Sequence, residues 1–147
     1  MASGLYCLPF KNNLTQTTNF AIDFDDTTAG RFKCMLVDSS YIPNFDTDSV
    51  KTDVSGEIVG AGYTAGGEAL TSVTFTISSG TITWDAADVT WSASTITNAA
   101  AAVIYNTSET NDPLIAYVDF GGNFSTTSGT FQIVWNASGI FTLDLTP

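Results

Sequence analysis

The side chains of this sequence that could do chemistry are almost all acids. Fifteen Asp and Glu residues stand against four Lys and Arg, and histidine is absent from the 147 residues, for a formal net charge of -11. Without an imidazole the commonest general base and metal ligand is missing, so triads that depend on one are excluded. Asp85 and Asp88 flank a turn between Trp84 and Trp91, and a carboxylate pair beside aromatic rings has the ingredients of a glycosidase cleft. Aspartate is also a turn former, and no neighbouring residue sets the two acids to different proton affinities, so a structural turn is expected. Two further groups, Asp23, Asp25 and Asp26, and Asp46, Asp48 and Asp53, offer hard oxygen ligands for calcium. Neither forms a loop closed by a bidentate Glu, and both read as solvated acidic turns. The stretch Gly60-Ala61-Gly62-Tyr63-Thr64-Ala65-Gly66-Gly67 resembles a phosphate loop only superficially, because no Lys ends it and no helix is predicted after it. A flexible loop is expected there. Cys7 and Cys34 form no CxxC or Cys/His pair and read as free thiols, with Cys34 buried in a strand. No catalytic residue, metal ligand or cofactor site is therefore expected, and the acids left over, such as Glu57, Glu68 and Glu109, form no recognisable set.

Charge placement narrows the partners. Lys11, Arg31, Lys33 and Lys51 are the only bases, so everything after residue 51 is acidic or neutral. Sequence-independent grip on nucleic acid comes from Lys and Arg facing phosphates, and anionic membranes attract the same residues, so neither partner is expected. No apolar run approaches the roughly 18 to 20 residues of a membrane helix. The start, Met1-Ala2-Ser3-Gly4, has no basic region and no apolar core behind it, which predicts a chain made in the cytoplasm and not exported. The Asn-x-Ser/Thr triplets at Asn13, Asn106, Asn123 and Asn136 are then expected to carry no glycan.

The elements that would position these residues are strands. A chain of this length suits one domain, and its polar fraction is Thr, Ser and Asn, with straight-chain helix formers scarce. Segments with strand character recur at short intervals between Gly, Ser, Asn and Asp. Together they predict an all-β, antiparallel β-sandwich or jelly-roll-like single domain over residues 20–147, preceded by an N-terminal arm or peripheral strand over 1–19. Val73 to Ile77 alternates with threonine, turns at Ser78-Ser79-Gly80 and returns as Thr81 to Trp84, a hairpin with one wet face. A second hairpin is predicted from Phe131, Ile133 and Trp135 through Asn136-Ala137-Ser138-Gly139 to Phe141, Leu143 and Leu145, ended by Pro147. Phe32 to Val37 and Leu114 to Phe120 are apolar on both faces, as in the centre of a layered core. Val89 to Ala93 and Ala99 to Tyr105 read as further strands, although four alanines could also start a helical turn. One short helical turn capped by Asp46 or Thr47 is expected between Asn44 and Val54. Trp84 and Trp135 fall in register with core positions, which leaves Trp91 as the candidate ligand aromatic of a sugar-binding surface.

Four blocks, in order along the chain, resemble a group of small virion proteins of tailed bacteriophages. They are Phe32-Lys33-Cys34-Met35-Leu36-Val37-Asp38-Ser39-Ser40-Tyr41; the more specific Trp84-Asp85-Ala86-Ala87-Asp88-Val89-Thr90-Trp91-Ser92-Ala93; Leu114 to Gly121; and Gly129 through Trp135 to Leu143. The N-terminal region departs from the group, with the Thr/Asn-rich stretch Asn12 to Asn19 in place of a short amphipathic helix. The resemblance implies a structural protein of the particle. Within that class it implies a capsid decoration (cement) protein, docked on the capsid exterior against the major capsid protein and self-associated as a dimer or trimer. The alternatives are a tail, connector or fibre component, including a carbohydrate-binding module that uses Trp91. Candidate capsid contacts are Leu5, Tyr6, Phe10, Lys11, Phe20, Arg31, Lys51 and Tyr63, with strand edges and the N-terminal arm as the attachment elements. Deleting residues 1–19 is expected to leave a folded domain that binds capsids poorly.

Overall fold

A computed structural model describes residues 1–146; Pro147, the predicted stop of the last strand, lies outside the described residues. The chain forms β1 (Gly4–Leu5), α1 (Cys7–Leu14), β2 (Phe32–Val37), β3 (Glu68–Ala69), β4 (Thr74–Ser78), β5 (Thr81–Asp85), β6 (Val89–Ser94), β7 (Ala99–Asn106), β8 (Leu114–Phe124), β9 (Gly129–Ile133) and β10 (Phe141–Asp144). Every strand pairing is antiparallel. The strands make a five-stranded sheet ordered β1-β8-β7-β2-β3, a three-stranded sheet β10-β5-β4 and a two-stranded sheet β6-β9.

The large sheet is the middle of the molecule, and the alternation of its residues explains why. Phe32, Cys34 and Leu36 of β2 point to one side with Ala102 and Ile104 of β7, and pack against Trp84, Trp91, Phe131 and Ile133 of the two smaller sheets. Met35 and Val37 point to the other side with Ala101, Val103, Tyr105 and Tyr117, and are covered by Tyr6, Tyr41, Phe45 and Val54. The result is an all-β, sandwich-like domain whose central sheet is enclosed on both faces. Every residue of β7 is buried, including Ala99 to Ala102. Alanine favours helix locally, but here small side chains on both faces let the flanking layers approach, and burial outweighs propensity.

The first predicted hairpin is β4–β5, with Ser79 (φ 49°) and Gly80 (φ 79°) in the left-handed conformations that a two-residue turn requires. The second predicted hairpin does not form. Phe131 to Ile133 pairs with β6, whereas Phe141 to Asp144 pairs with β5 in a different sheet. The crossing is enforced by long-range bonds: the Trp135 N–H donates to Asp88 (3.0 Å), its indole N–H donates to the Ala87 carbonyl (3.1 Å), and the Ile140 N–H donates to the Trp84 carbonyl (2.9 Å). The helical turn between Asn44 and Val54 is a single 3-10 turn at Lys51–Asp53, and the acid that fixes it is Asp53, which accepts from the N–H groups of Ser49 and Val50. Neither Asp46 nor Thr47 caps it.

The N-terminal segment is woven into the domain. Gly4 and Leu5 pair with Tyr117 and Ala116 of β8, and the Tyr6 N–H donates to the Ile115 carbonyl at 3.0 Å. Tyr6 is 0% exposed, and its hydroxyl bonds to that of Tyr41 at 2.8 Å. Part of the predicted arm is α1, an eight-residue helix that buries Pro9. Deleting residues 1–19 would therefore strip an edge strand and a core side chain, which corrects the expectation of an intact domain after that deletion.

Candidate docking site

The residues of the most specific sequence block turn out to serve the fold. Trp84 is 0% and Trp91 1% exposed. The Trp84 indole N–H donates to the Phe24 carbonyl (3.0 Å), and its ring meets Phe32 edge-on with centroids 5.1 Å apart. Trp91 stacks on Tyr63 and meets Phe131 edge-on. It cannot present a face to a sugar, which corrects the expectation that it is a ligand aromatic. Asp88 is committed to the Trp135 N–H, whereas Asp85 is the last residue of β5, opposite Thr74 of β4, so the carboxylate pair of the glycosidase reading is divided between two structural positions. In the Asp-x-x-Tyr block, Asp38 accepts from the Ser40 hydroxyl (2.5 Å) and N–H (2.8 Å), which hold its carboxyl below the usual carboxylate range. Tyr41 in turn donates to Asp48 at 2.9 Å. Among the described residues no cluster of three or more His, Cys, Asp and Glu is placed to hold a metal ion. Cys34 is buried, and burial pushes its thiol pKa up; Cys7 is exposed.

The glycine-rich segment is not a free loop. Gly66 and Gly67 are buried, and the Gly66 carbonyl accepts from the Tyr105 hydroxyl at 2.7 Å while its N–H donates to Glu57. A Cβ on Gly67 would stand 1.9 Å from the Cys34 carbonyl oxygen, and one on Gly60 2.0 Å from that of Thr95. Glycine is needed there for close backbone approach.

The predicted contact residues are scattered. Tyr6 is enclosed and cannot touch a partner, a second correction. Lys11 is exposed on α1, Phe10 and Phe20 are half-buried, and Arg31 pairs with Asp26 at 3.2 Å. Lys51 and Tyr63 are each placed near Gly66: a Cβ there would stand 3.4 Å from the Lys51 ammonium, and Tyr63 shares the acceptor Glu57 with the Gly66 N–H. The Tyr63 hydroxyl donates to Glu57 (3.0 Å) and accepts from the Leu36 N–H (3.0 Å), and the Lys51 ammonium sits 5.2 Å from the Tyr105 ring centroid. These bonds tie the segment to the sheet.

Of the predicted contacts only Leu5 lines a trough of about 720 Å³ on the side where the layers present β1, β9 and the start of β10. Apolar side chains dominate its walls, among them Val118, Phe120, Ile133, Trp135 and Ile140. Not one lining residue is charged, although the chain carries -11. On its margins Phe124 is 51% and Val134 68% exposed. Both β1 and β9 are outermost in their sheets, so each has an edge with no strand beside it. The trough has no motif in the sequence, yet a signal of it exists: between Asp119 and Asp144 no residue carries a charge. An uncharged apolar trough between two open strand edges can hold an extended peptide, with backbone bonds supplying affinity and the walls supplying side-chain pockets.

The fold and this site define an all-β, sandwich-like domain with an apolar groove. No family model matches the chain, and neither a curated protein nor a solved structure matches it significantly.

Proposed function

We propose that this protein is a structural component of a tailed-phage virion, and specifically a capsid decoration protein. It is made in the host cytoplasm, docks on the exterior of the head against the major capsid protein, and braces neighbouring capsomers. The four co-linear blocks that resemble small virion proteins direct the reading to the particle. The observation that carries it is the uncharged trough between β1 and β9. An extended, uncharged segment of a capsid subunit would bury the exposed Phe124 and Val134 and add a strand to one edge. Repetition over an icosahedral surface then turns a modest single contact into high avidity. The acidic coat suits an outward-facing protein, since it repels nucleic acid.

The test is to add purified protein to capsids lacking it and measure bound copies by sedimentation and quantitative mass spectrometry. Saturation at many copies per particle, weakened roughly tenfold or more by Val134→Glu with unchanged circular dichroism, is expected. A handful of copies, confined to one vertex or to tails, would transfer the protein to the connector or tail; no binding to any particle would sink the virion reading.

A further inference from the structure

We propose that the free edge of β4 is a self-association surface, through which two copies pair antiparallel about a twofold axis at Thr76. Strand β4 is the outermost strand of the sheet β10-β5-β4, and its ladder to β5 runs without a register shift from Thr74 to Ser78. Edge strands are ordinarily guarded by a charge, a proline or a bulge. The sequence Thr74-Phe75-Thr76-Ile77-Ser78 has none of these. By contrast β1 and β3 are two residues long, and β10 carries Asp144.

Hydrogen-bond phase fixes the register. A two-residue turn makes Ser78 and Thr81 a hydrogen-bonded pair, so Ser78, Thr76 and Thr74 direct their backbone groups at β5. Phe75 and Ile77 therefore aim theirs outward, and neither has another backbone partner among the described residues. In a twofold pairing centred on Thr76, Phe75 stands opposite Ile77 of the second copy and the reverse. Both are then hydrogen-bonded pairs, and all the outward groups of the two residues are satisfied together.

The side chains support the same register. Phe75 and Ile77 share the sheet face that carries Trp84 and Ile82 of β5 and Phe141 and Leu143 of β10. The row Phe75–Trp84–Phe141 packs on the core, but the row Ile77–Ile82–Leu143 overhangs it, and Ile77 is left 76% exposed. Pairing sets each Ile77 beside a Phe75 of the other copy, an aromatic–β-branched cross-strand pair. On the opposite face threonine meets threonine. The seam holds no charge, so two copies of a -11 chain can meet there without like charges in direct opposition. The product is one continuous six-stranded sheet, and the interface is isologous.

Two measurements decide it. Light scattering coupled to size exclusion is expected to find a dimer for the parent protein, converted to monomer by Ile77→Lys and by Ile77→Pro, whose lost N–H faces away from β5. Near-ultraviolet circular dichroism must confirm that each variant is folded. In a Cys7→Ser background, Thr76→Cys should cross-link to a dimer under mild oxidation, because the two Cα atoms form a non-hydrogen-bonded pair about 4.5 Å apart, within disulfide reach. Thr74→Cys in the same background should not. A monomeric parent protein, folded Ile77 variants that stay dimeric, or equal cross-linking at 74 and 76 would overturn the proposal.

Discussion

At the scale of single residues, polar atoms placed inside the core give this fold its sharpest tests. The Tyr6 hydroxyl donates to Tyr41, which donates to Asp48, so the two tyrosines are not equivalent although both are buried. Burial holds both phenols well above the ordinary tyrosine range, so the chain of bonds stays protonated across the physiological span. Tyr6→Phe removes one donor and leaves Tyr41 bonded to Asp48, at a cost of about 1 kcal/mol. Tyr41→Phe strands a completely enclosed Tyr6 hydroxyl and should cost up to about 3 kcal/mol. Urea unfolding of the two variants measures the difference; equal losses would mean that the Tyr6 hydroxyl finds another partner.

Among the elements, strand identity was far more legible than strand pairing. Alternation of Thr with Val, Phe, Ile and Trp placed β4 and β5, and the doubly apolar runs marked β2 and β8, because side-chain period and burial are local properties. The partners of β9 and β10 are set by Asp88, Ala87 and Trp84, which bind the intervening segment from more than forty residues away, and no local pattern encodes that. The same limit hid Tyr6 and Trp91, whose neighbours arrive from distant strands. It hid the trough too, because a groove between sheets has no sequence period, and only its lack of charge was visible. The glycine-rich connection suggests a flexible loop because glycine permits freedom, whereas here it permits contact. Gly67→Ala combines φ +73° with a collision against the Cys34 carbonyl and should unfold the domain or shift its melting point sharply downward. Gly121→Ala, also at φ +73° but with nothing within 4 Å, should lose only the left-handed penalty of about 1 to 2 kcal/mol. Thermal melts of the pair separate close approach from backbone freedom; comparable losses would refute the distinction.

For the whole molecule, acidity sets the pH response. Asp38 is held below its normal pKa by the Ser40 hydroxyl and N–H, and Asp144 by the Thr146 N–H and hydroxyl. A depressed carboxyl stabilises the folded state above its unfolded value of about 3.9, and that contribution disappears as pH falls through the lowered folded value. Melting temperature should therefore decline below about pH 4, and Asp38→Asn should make the decline shallower. A melting temperature that stays level down to about pH 2 would contradict these assignments. The pairing of β1 with β8 has a different consequence, in time. Gly4 and Leu5 meet residues more than a hundred positions later, so the five-stranded sheet cannot close until most of the chain has emerged from the ribosome. Until then Tyr6 has no interior to enter, and β1 lacks its neighbour. Such non-local closure belongs to folds that mature in milliseconds to seconds, so the nascent chain must pass through that interval with its edges open.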